Sequence, residues 1–578
     1  MDKKSYCIAW LMLLFVGSLH AQYRTTTYCN PLNLDYTYPF HNSHLGKSYR
    51  SGADPAVVEF RGEYYMFVTR SWGYWHSKDL LNWDFITPEK WYFEGCNAPA
   101  AHNYKDSVLY VCGNPSGAMS ILYTDNPKRG DWKAVPSVLH DLQDPALFID
   151  DDERAYMYWG SSNRWPIRGK ELDMKNKFLP IAKKPDSLLF LRPDIHGWER
   201  FGENHTSDIK PFIEGAWMTK HNGKYYLQYA APGTQFNVYG DGVYVGKSPL
   251  GPFEYAAHNP FCYKPGGFAT GAGHGSTVCS PGGIYWHFGT IHLSINYKFE
   301  RRLCMFPTFF DEDGAMYSDT YFGDYPHYSP DQVSRQTTSG GFRGWMLLSY
   351  GKPVKASSQL ESYPVENVTD ENLKTFWVAE KNDDKQWVEI DLEEVSDVYA
   401  LQLNFFDYEE TGFWGRMPNL RQRYLVEASV DGARWRVLVD YRNSFRDAPH
   451  NYIELDQPIE ARYIRYRHHY VPGKNLAMGD IRVFGLGRGK KPATVKGFTV
   501  VREADERNAR ISWKAVKGAQ GYNVLWGVAL DKLYSSWMVY GDNSLDLRAL
   551  TVGQKYYFAI EAFNENGISQ RVFLREAH

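Results

Sequence analysis

Between about residue 55 and residue 310 the chain repeats one pattern: a short apolar or aromatic run, a polar turn with Gly or Asp, then a Tyr-rich run. The instances are Val57-Val58-Glu59-Phe60 before Gly62-Glu63-Tyr64-Tyr65, Ala100-Ala101-His102 before Ser107-Val108-Leu109-Tyr110, and Ala146-Leu147-Phe148-Ile149 before Ala155-Tyr156-Met157-Tyr158. Ala216-Trp217-Met218 before Lys224-Tyr225-Tyr226-Leu227 and Ser276-Thr277-Val278 before Ile284-Tyr285-Trp286 complete the set. Short aromatic and β-branched runs bounded by turn residues are strands, and two in succession make a hairpin. Five hairpins spaced by about 45 to 70 residues predict a five-bladed β-propeller, each blade one small antiparallel sheet. The wider gap before the fourth hairpin holds a charged, Pro-bearing stretch around residues 170–208, expected as a surface excursion near one mouth of the propeller.

Past about Gly344 the pattern changes to short alternating strands, as in Trp387-Val388-Glu389-Ile390-Asp391-Leu392 and Tyr463-Ile464-Arg465-Tyr466, which predicts a β-sandwich. A basic, Gly-containing break, Gly487-Arg488-Gly489-Lys490-Lys491-Pro492, precedes a third set of strands around Trp513, Tyr522 and Tyr556. The predicted fold class is therefore all-β, with a propeller over residues 22–344, a sandwich over 345–487 and a second sandwich over 492–578. Ahead of them, Lys3 and Lys4, the apolar run from Cys7 to Leu19 and the small Ala21 have the layout of a secretory signal peptide over residues 1–21. Export to the periplasm or the medium is expected. No other apolar stretch approaches 18 residues, so no membrane insertion is expected, and Cys7 lies too early to carry a lipid.

A length of 578 residues fits two to four domains. The formal net charge of −3 supplies no field for a polyanion, which excludes nucleic acid as a partner. The aromatic content of 16%, with 43 Tyr and 19 Trp, suits β-rich cores and also suits stacking on the apolar faces of sugar rings. Apart from Cys7 there are six cysteines, all before residue 305, which allow 15 pairings and show no zinc-type spacing.

Three carboxylates stand at corresponding places, each just ahead of the first strand of a hairpin: Asp54 in Ala53-Asp54-Pro55, Asp144 in Gln143-Asp144-Pro145 and Glu214 in Ile213-Glu214-Gly215. The innermost strand of a propeller blade begins near the central axis, so three blades can place these groups around one pocket. Glycoside hydrolysis needs one carboxyl that donates a proton to the leaving oxygen and one carboxylate that activates water or attacks the sugar. Asp150-Asp151-Asp152 has calcium-ligand chemistry, but at a hairpin tip it reads as a solvated turn.

These strings, with Gly223-Lys224-Tyr225-Tyr226 behind Glu214, resemble the three signatures of glycoside hydrolase family 43 over roughly residues 28–310. The resemblance implies an inverting enzyme with Asp54 as general base, Glu214 as general acid and Asp144 as pKa modulator. It also implies that His274, in Gly273-His274-Gly275-Ser276, lies on the axis at an ion or water site, commonly Ca²⁺, and that Arg302 lies near the substrate beside Arg301. Asn97-Ala98-Pro99 stands where the family often has Trp-Ala-Pro, which places Asn97 at the sugar pocket. Ala216 replaces the Pro usual after Glu-Gly. Trp72, Trp75 and Trp217 are candidates for stacking a sugar, with core packing as the alternative for each.

The second unit resembles a discoidin-like, coagulation factor C-type domain of the galactose-binding fold, through Val365-Glu366-Asn367-Val368-Thr369-Asp370, Thr375-Phe376-Trp377 and Ala461-Arg462-Tyr463-Ile464-Arg465. Relatives hold a structural calcium in the loop that here contains Asn367, Asp370 and Thr375, and Trp414 is a stacking candidate. The third unit resembles fibronectin type III and reads as a spacer. Together these imply an exo-acting hydrolase that needs no cofactor for its chemistry and removes terminal pentose, foremost α-L-arabinofuranose, from plant-type polysaccharides. A β-D-xylosidase, a galactose-releasing enzyme, a retaining β-fructosidase type and a non-catalytic glycan-binding or adhesion protein are the alternatives.

Overall fold

The computed structural model describes residues 25–39, 46–89, 96–114, 118–140, 142–184, 186–333 and 340–575. The expected signal peptide lies outside the described residues.

Each predicted hairpin is the inner half of a four-stranded antiparallel sheet. The inner strands are Ala56–Phe60, Asn97–Tyr104, Ala146–Ile149, Glu214–His221 and Gly273–Cys279, and three more strands follow outward in chain order in each sheet. The third sheet carries one extra strand, Asp186–Leu189, on its Ile167–Asp173 strand. Neighbouring inner strands pack side by side, and the first meets the fifth, so the five blades close into a ring. Thr27–Tyr28 pairs with His327–Tyr328, and Leu32 N donates to Leu303 O, which ties the chain's early segment to the fifth blade.

Strand direction decides what reaches the mouth. Inner strands start there and second strands return to it, so the loops at 68–73, 160–166, 232–239 and 293–300 rim the same opening as the three carboxylates.

The stretch at 170–208 is a surface excursion in its middle, where Leu179, Ile181 and Phe190 are exposed, but not at its ends. Ile167–Asp173 is a blade strand, and Trp198 beyond it is fully buried. Gly197 N donates to Leu550 O, and Arg200 Nη2 reaches Asn508 Oδ1 at 2.5 Å. The third unit, two sheets of three and five strands, therefore packs against the propeller and is not a spacer. One continuous apolar core runs from Trp159 and Trp198 to Trp513, Trp526 and Leu550. Apolar surface withdrawn from water on both sides holds such a joint, at about 25 cal/mol per Å².

The second unit is built on two long bent strands, Trp387–Phe405 and His450–Tyr470, whose register shifts at bulges let them serve both layers. Its core gathers Trp377, Leu401, Leu403, Tyr424, Ile464 and Val483. It is fastened to the propeller by Arg50, which pairs with Asp407 at 2.9 Å and Asp447 at 2.6 Å. All six described cysteines are unbridged.

Candidate active site

The five inner strands share a backbone device. Where each begins, one residue takes the left-handed region: Asp54 (φ 56°), Ala98 (φ 43°), Asp144 (φ 48°), Gly215 (φ 67°) and His274 (φ 46°). For residues other than Gly this costs on the order of 1 kcal/mol or more, and such strain collects at functional sites. Gly215 is required by contact as well, since a Cβ there would lie 2.8 Å from the His274 ring. At Gly275 a Cβ would lie 1.9 Å from Phe288 O. At Gly273 a Cβ would lie 2.7 Å from the Tyr239 ring, so both glycines that flank His274 are demanded by the neighbours packed on them.

That imidazole joins the carboxylates. His274 Nδ1 lies 3.2 Å from Asp54 Oδ1 and 3.8 Å from Asp144 Oδ2. Polar atoms of Asp144, Glu214 and His274 all fall within 4.8 Å of one another. The backbone of His274 is held by Asp241, a buried carboxylate that accepts its N–H at 2.7 Å and that of Gly275 at 3.0 Å. Residues 60 and more apart in sequence are thereby brought to one place, as the blade geometry predicted.

The three acids have different surroundings. Asp54 Oδ2 accepts the Thr69 hydroxyl at 2.6 Å, and Arg301 Nη1 lies 3.6 Å from Oδ1. Burial works to raise its pKa, but His274, Arg301 and the Thr69 hydroxyl outweigh it and hold the carboxyl below its ordinary value. Asp144 is pushed up to about 7, by burial first and then by the charges of Glu214 and Asp54, against the opposing pull of His274. Glu214 accepts the Tyr239 hydroxyl on Oε1 at 2.6 Å and the Ser161 hydroxyl on Oε2 at 3.2 Å. His274 is raised: burial alone would lower it, and the carboxylates facing it reverse that. The site therefore sets Asp54, held below its ordinary pKa, against Asp144, raised to about 7.

The remaining predicted residues divide. Trp72 lies in the mouth loop at 68–73 and is half-buried, and Asn97 accepts Arg70 Nε at 2.8 Å in the same rim. Trp75 is a correction: it is buried in the core beside Met66 and Trp286, with Nε1 donating to Asp35 Oδ1 at 2.6 Å. Trp217 packs partly buried against the clusters of the first to fourth blades, a core role. Arg302 is the second correction. Its guanidinium is buried and donates to His450 Nε2 at 2.8 Å and Arg50 O at 2.8 Å. Successive side chains of a strand point to opposite faces, so Arg301 has the pocket and Arg302 the joint with the second unit. Tyr239, Ser161 and Thr69 were not anticipated; all three sit on mouth loops, and a count of loops returning to the mouth would have found them.

Ca²⁺ takes six to eight oxygen ligands. One imidazole nitrogen with two carboxylates supplies only part of that shell, the rest falling to water, and His274 Nδ1 already faces Asp54 and Asp144. The second unit holds the other expected cation loop. Asn367 Nδ2 is committed to Phe376 O at 2.9 Å, but Asp370 Oδ2 lies 2.7 Å from the Thr375 hydroxyl. Nearby Asp480, absent from the sequence prediction, uses Oδ1 to accept Glu371 N at 2.8 Å and leaves Oδ2 buried without a partner. Its carboxyl is driven far above the usual range by burial and by the charges of Glu371 and Asp370. A cation held by Asp370, Asp480 and neighbouring oxygens would satisfy that atom. Asp150 is a structural turn residue, bonded to Lys220 and Tyr225.

Residues 49–316 match the family described as Glycosyl hydrolases family 43, and residues 353–478 match the F5/8 type C domain. The chain is similar to a "Beta-xylosidase" of Xylanibacter ruminicola, 33% identical over 202 residues, covering 31% of this chain and 57% of that protein. An "Arabinoxylan arabinofuranohydrolase" of Bacillus subtilis is 25% identical over 331 residues, covering 46% and 60%. A non-reducing end alpha-L-arabinofuranosidase of Bacteroides ovatus is 25% identical over 289 residues, covering 45% and 50%. The chain spans about half the length of the curated relatives it matches. A solved structure described as "Glycoside hydrolase" superposes with a TM-score of 0.42 at 19% identity, covering 77% of this chain and all of that one.

Proposed function

From a chain whose residues 49–316 match Glycosyl hydrolases family 43 and whose residues 353–478 match the F5/8 type C domain, we propose an exported, exo-acting, inverting glycoside hydrolase. Its substrate is a plant-type polysaccharide bearing terminal pentose, foremost α-L-arabinofuranose. The observation that carries this reading is the meeting of Asp54, Asp144 and Glu214 around the His274 ring, with Asp54 held below its ordinary pKa and Asp144 raised to about 7.

In this reading the Asp54 carboxylate, oriented by the Thr69 hydroxyl, takes the proton of an attacking water as the water oxygen bonds to the anomeric carbon. Glu214, positioned by Tyr239 and Ser161, gives its proton to the glycosidic oxygen as the bond to the anomeric carbon breaks. Asp144, close to Glu214 and with its own pKa near neutral, keeps a proton available on the acid side. The His274 cation balances part of the negative charge. Substrate removes water from the pocket, which strengthens each of these interactions.

Release of β-D-xylose is the second reading, favoured by the relative that is 33% identical and described as a "Beta-xylosidase". A cation in the second unit, glycan binding there, and a fibronectin type III assignment of the third unit belong to the same proposal. The test is hydrolysis of para-nitrophenyl α-L-arabinofuranoside and β-D-xylopyranoside, with NMR of the first sugar released. A product of inverted configuration, lost by about 10²- to 10⁴-fold in Glu214→Ala on natural oligosaccharides, is expected. Retained configuration overturns the mechanism, and release that Glu214→Ala does not slow overturns the acid.

A further inference from the structure

The second unit does not hang beside the propeller; it sends the loop at 407–416 onto the rim of the mouth. Tyr38 and Gly415 exchange backbone hydrogen bonds at 3.0 and 2.9 Å. Ser48 N donates to Glu410 O at 2.7 Å, and the Ser48 hydroxyl donates to Phe413 O at 2.8 Å. Tyr38 OH donates to Asp407 Oδ2 at 2.8 Å, and Arg416 pairs with Asp35. The loop is thus pinned along its length to propeller residues.

At its tip stands Trp414, 47% exposed. Its ring meets Trp72 edge to face, with centroids 5.7 Å apart and planes at 72°. Gly415 is what permits the approach, since a Cβ there would lie 3.1 Å from the Trp72 indole, and its φ is 65°. Trp72 in turn belongs to the mouth loop whose Thr69 touches Asp54 and whose Arg70 touches Asn97. A large aromatic face is therefore held in water a few residues from the reacting carboxylates by a hydrogen-bonded loop from another domain. Rigid, half-exposed Trp pairs at a pocket mouth match the C–H faces of sugar rings, which gain by leaving water against an indole.

We propose that Trp414, together with Trp72, is a sugar-stacking subsite for the polysaccharide beyond the terminal residue, so that the F5/8 type C domain completes the substrate site of the propeller. This rests on the glycosidase reading above. It makes the second unit a specificity element of the hydrolase itself and assigns to Trp414 a role in chain recognition, distinct from proton transfer.

The test compares kcat/KM on arabinoxylan with that on the para-nitrophenyl glycosides for the full chain and for Trp414→Leu and Trp414→Phe. Leu keeps apolar bulk against Trp72 but has no flat face, and Phe keeps one. The expected result is that Trp414→Leu loses about tenfold more on the polysaccharide than on the aryl glycoside, carried by KM, and that Trp414→Phe recovers most of it. Equal losses on both substrates, or none, overturn the subsite. If the parent cleaves neither substrate, the glycosidase reading has failed, and calorimetric binding of arabinoxylan oligosaccharides decides the subsite. Binding weakened in Trp414→Leu and kept in Trp414→Phe supports it; equal binding, or none by the parent, overturns it.

Discussion

Two groups of buried acids in this chain are paired in different ways. At the propeller mouth Asp54, Asp144 and Glu214 share one imidazole and one guanidinium, the latter 3.6 Å from Asp54. At the joint between propeller and second unit, Glu371 has Arg482 on both oxygens, at 2.7 and 3.0 Å, and Asp324 has Lys264 at 3.0 Å. Arg482 also donates to Asp324 O at 2.6 Å and Gln402 Oε1 at 2.9 Å, all of it out of water. Each group holds one acid down and one up. Lys264 and Arg482 hold Asp324 below the ordinary range as His274, Arg301 and the Thr69 hydroxyl hold Asp54, whereas burial outweighs the partners of Glu371 and raises it, and pushes Asp144 up to about 7. What differs is the pairing: at the joint Glu371 and Asp324 each have a cation within 3.0 Å. At the mouth three acids share His274 and a guanidinium 3.6 Å away, and the acid so left is at a pocket where chemistry can use its proton.

The contrast breaks most visibly at the joint. Arg482→Met leaves the Glu371 carboxylate buried and unpaired, which costs about 3–5 kcal/mol. Urea unfolding should show that loss, and a change below about 1 kcal/mol would mean that the pairing is not what joins the domains. At the mouth the sign reverses. The folded pKa of Asp144 lies above its unfolded value of about 4, so the stability it allows is complete below about pH 4 and is lost as pH rises to about 7. Asp144→Asn should therefore be more stable than the parent at pH 8, by on the order of 2 kcal/mol, and the gap should shrink at pH 4. Its kcat/KM should fall, and the fall in parent activity above about pH 7 should move in the variant. Melting curves with the same gap at both pH values would contradict the assigned burial penalty. The smallest effect is expected at Asp480, whose buried Oδ2 has no partner beside the expected cation loop. Excess Ca²⁺ should stabilise the chain by on the order of 1–3 kcal/mol against a chelator, and Asp480→Asn should lose that response. A chelator-insensitive parent would remove the cation.

Much of this was legible in one dimension because its signals are local. Asp-Pro twice and Glu-Gly once, each before its own hairpin, mark the acids, because a strand that starts at the axis needs a turn residue there. The signals that failed were those of facing. Arg301 and Arg302 are neighbours whose side chains point to opposite sides of one strand, and the sequence resemblance alone could not say which side was the pocket. Trp75 has the composition of a stacking residue and the position of a core residue. Asp480 stands 110 residues beyond Asp370, so its part in a candidate cation loop appears only when the two strands and the loop are assembled.

The order of strands, the fivefold repeat of hairpins and the three carboxylates follow from the sequence alone, since alternation, turn chemistry and aromatic β-formers act over a few residues. What tertiary structure decided is every relation that spans domains. It turned the expected spacer into a packed partner through a shared apolar core, turned Arg302 into a joint residue, and brought Trp414 to Trp72. Those contacts depend on surfaces meeting at their full three-dimensional shape, and burial of apolar area and pairing of buried charge choose among shapes that the local patterns leave equally allowed.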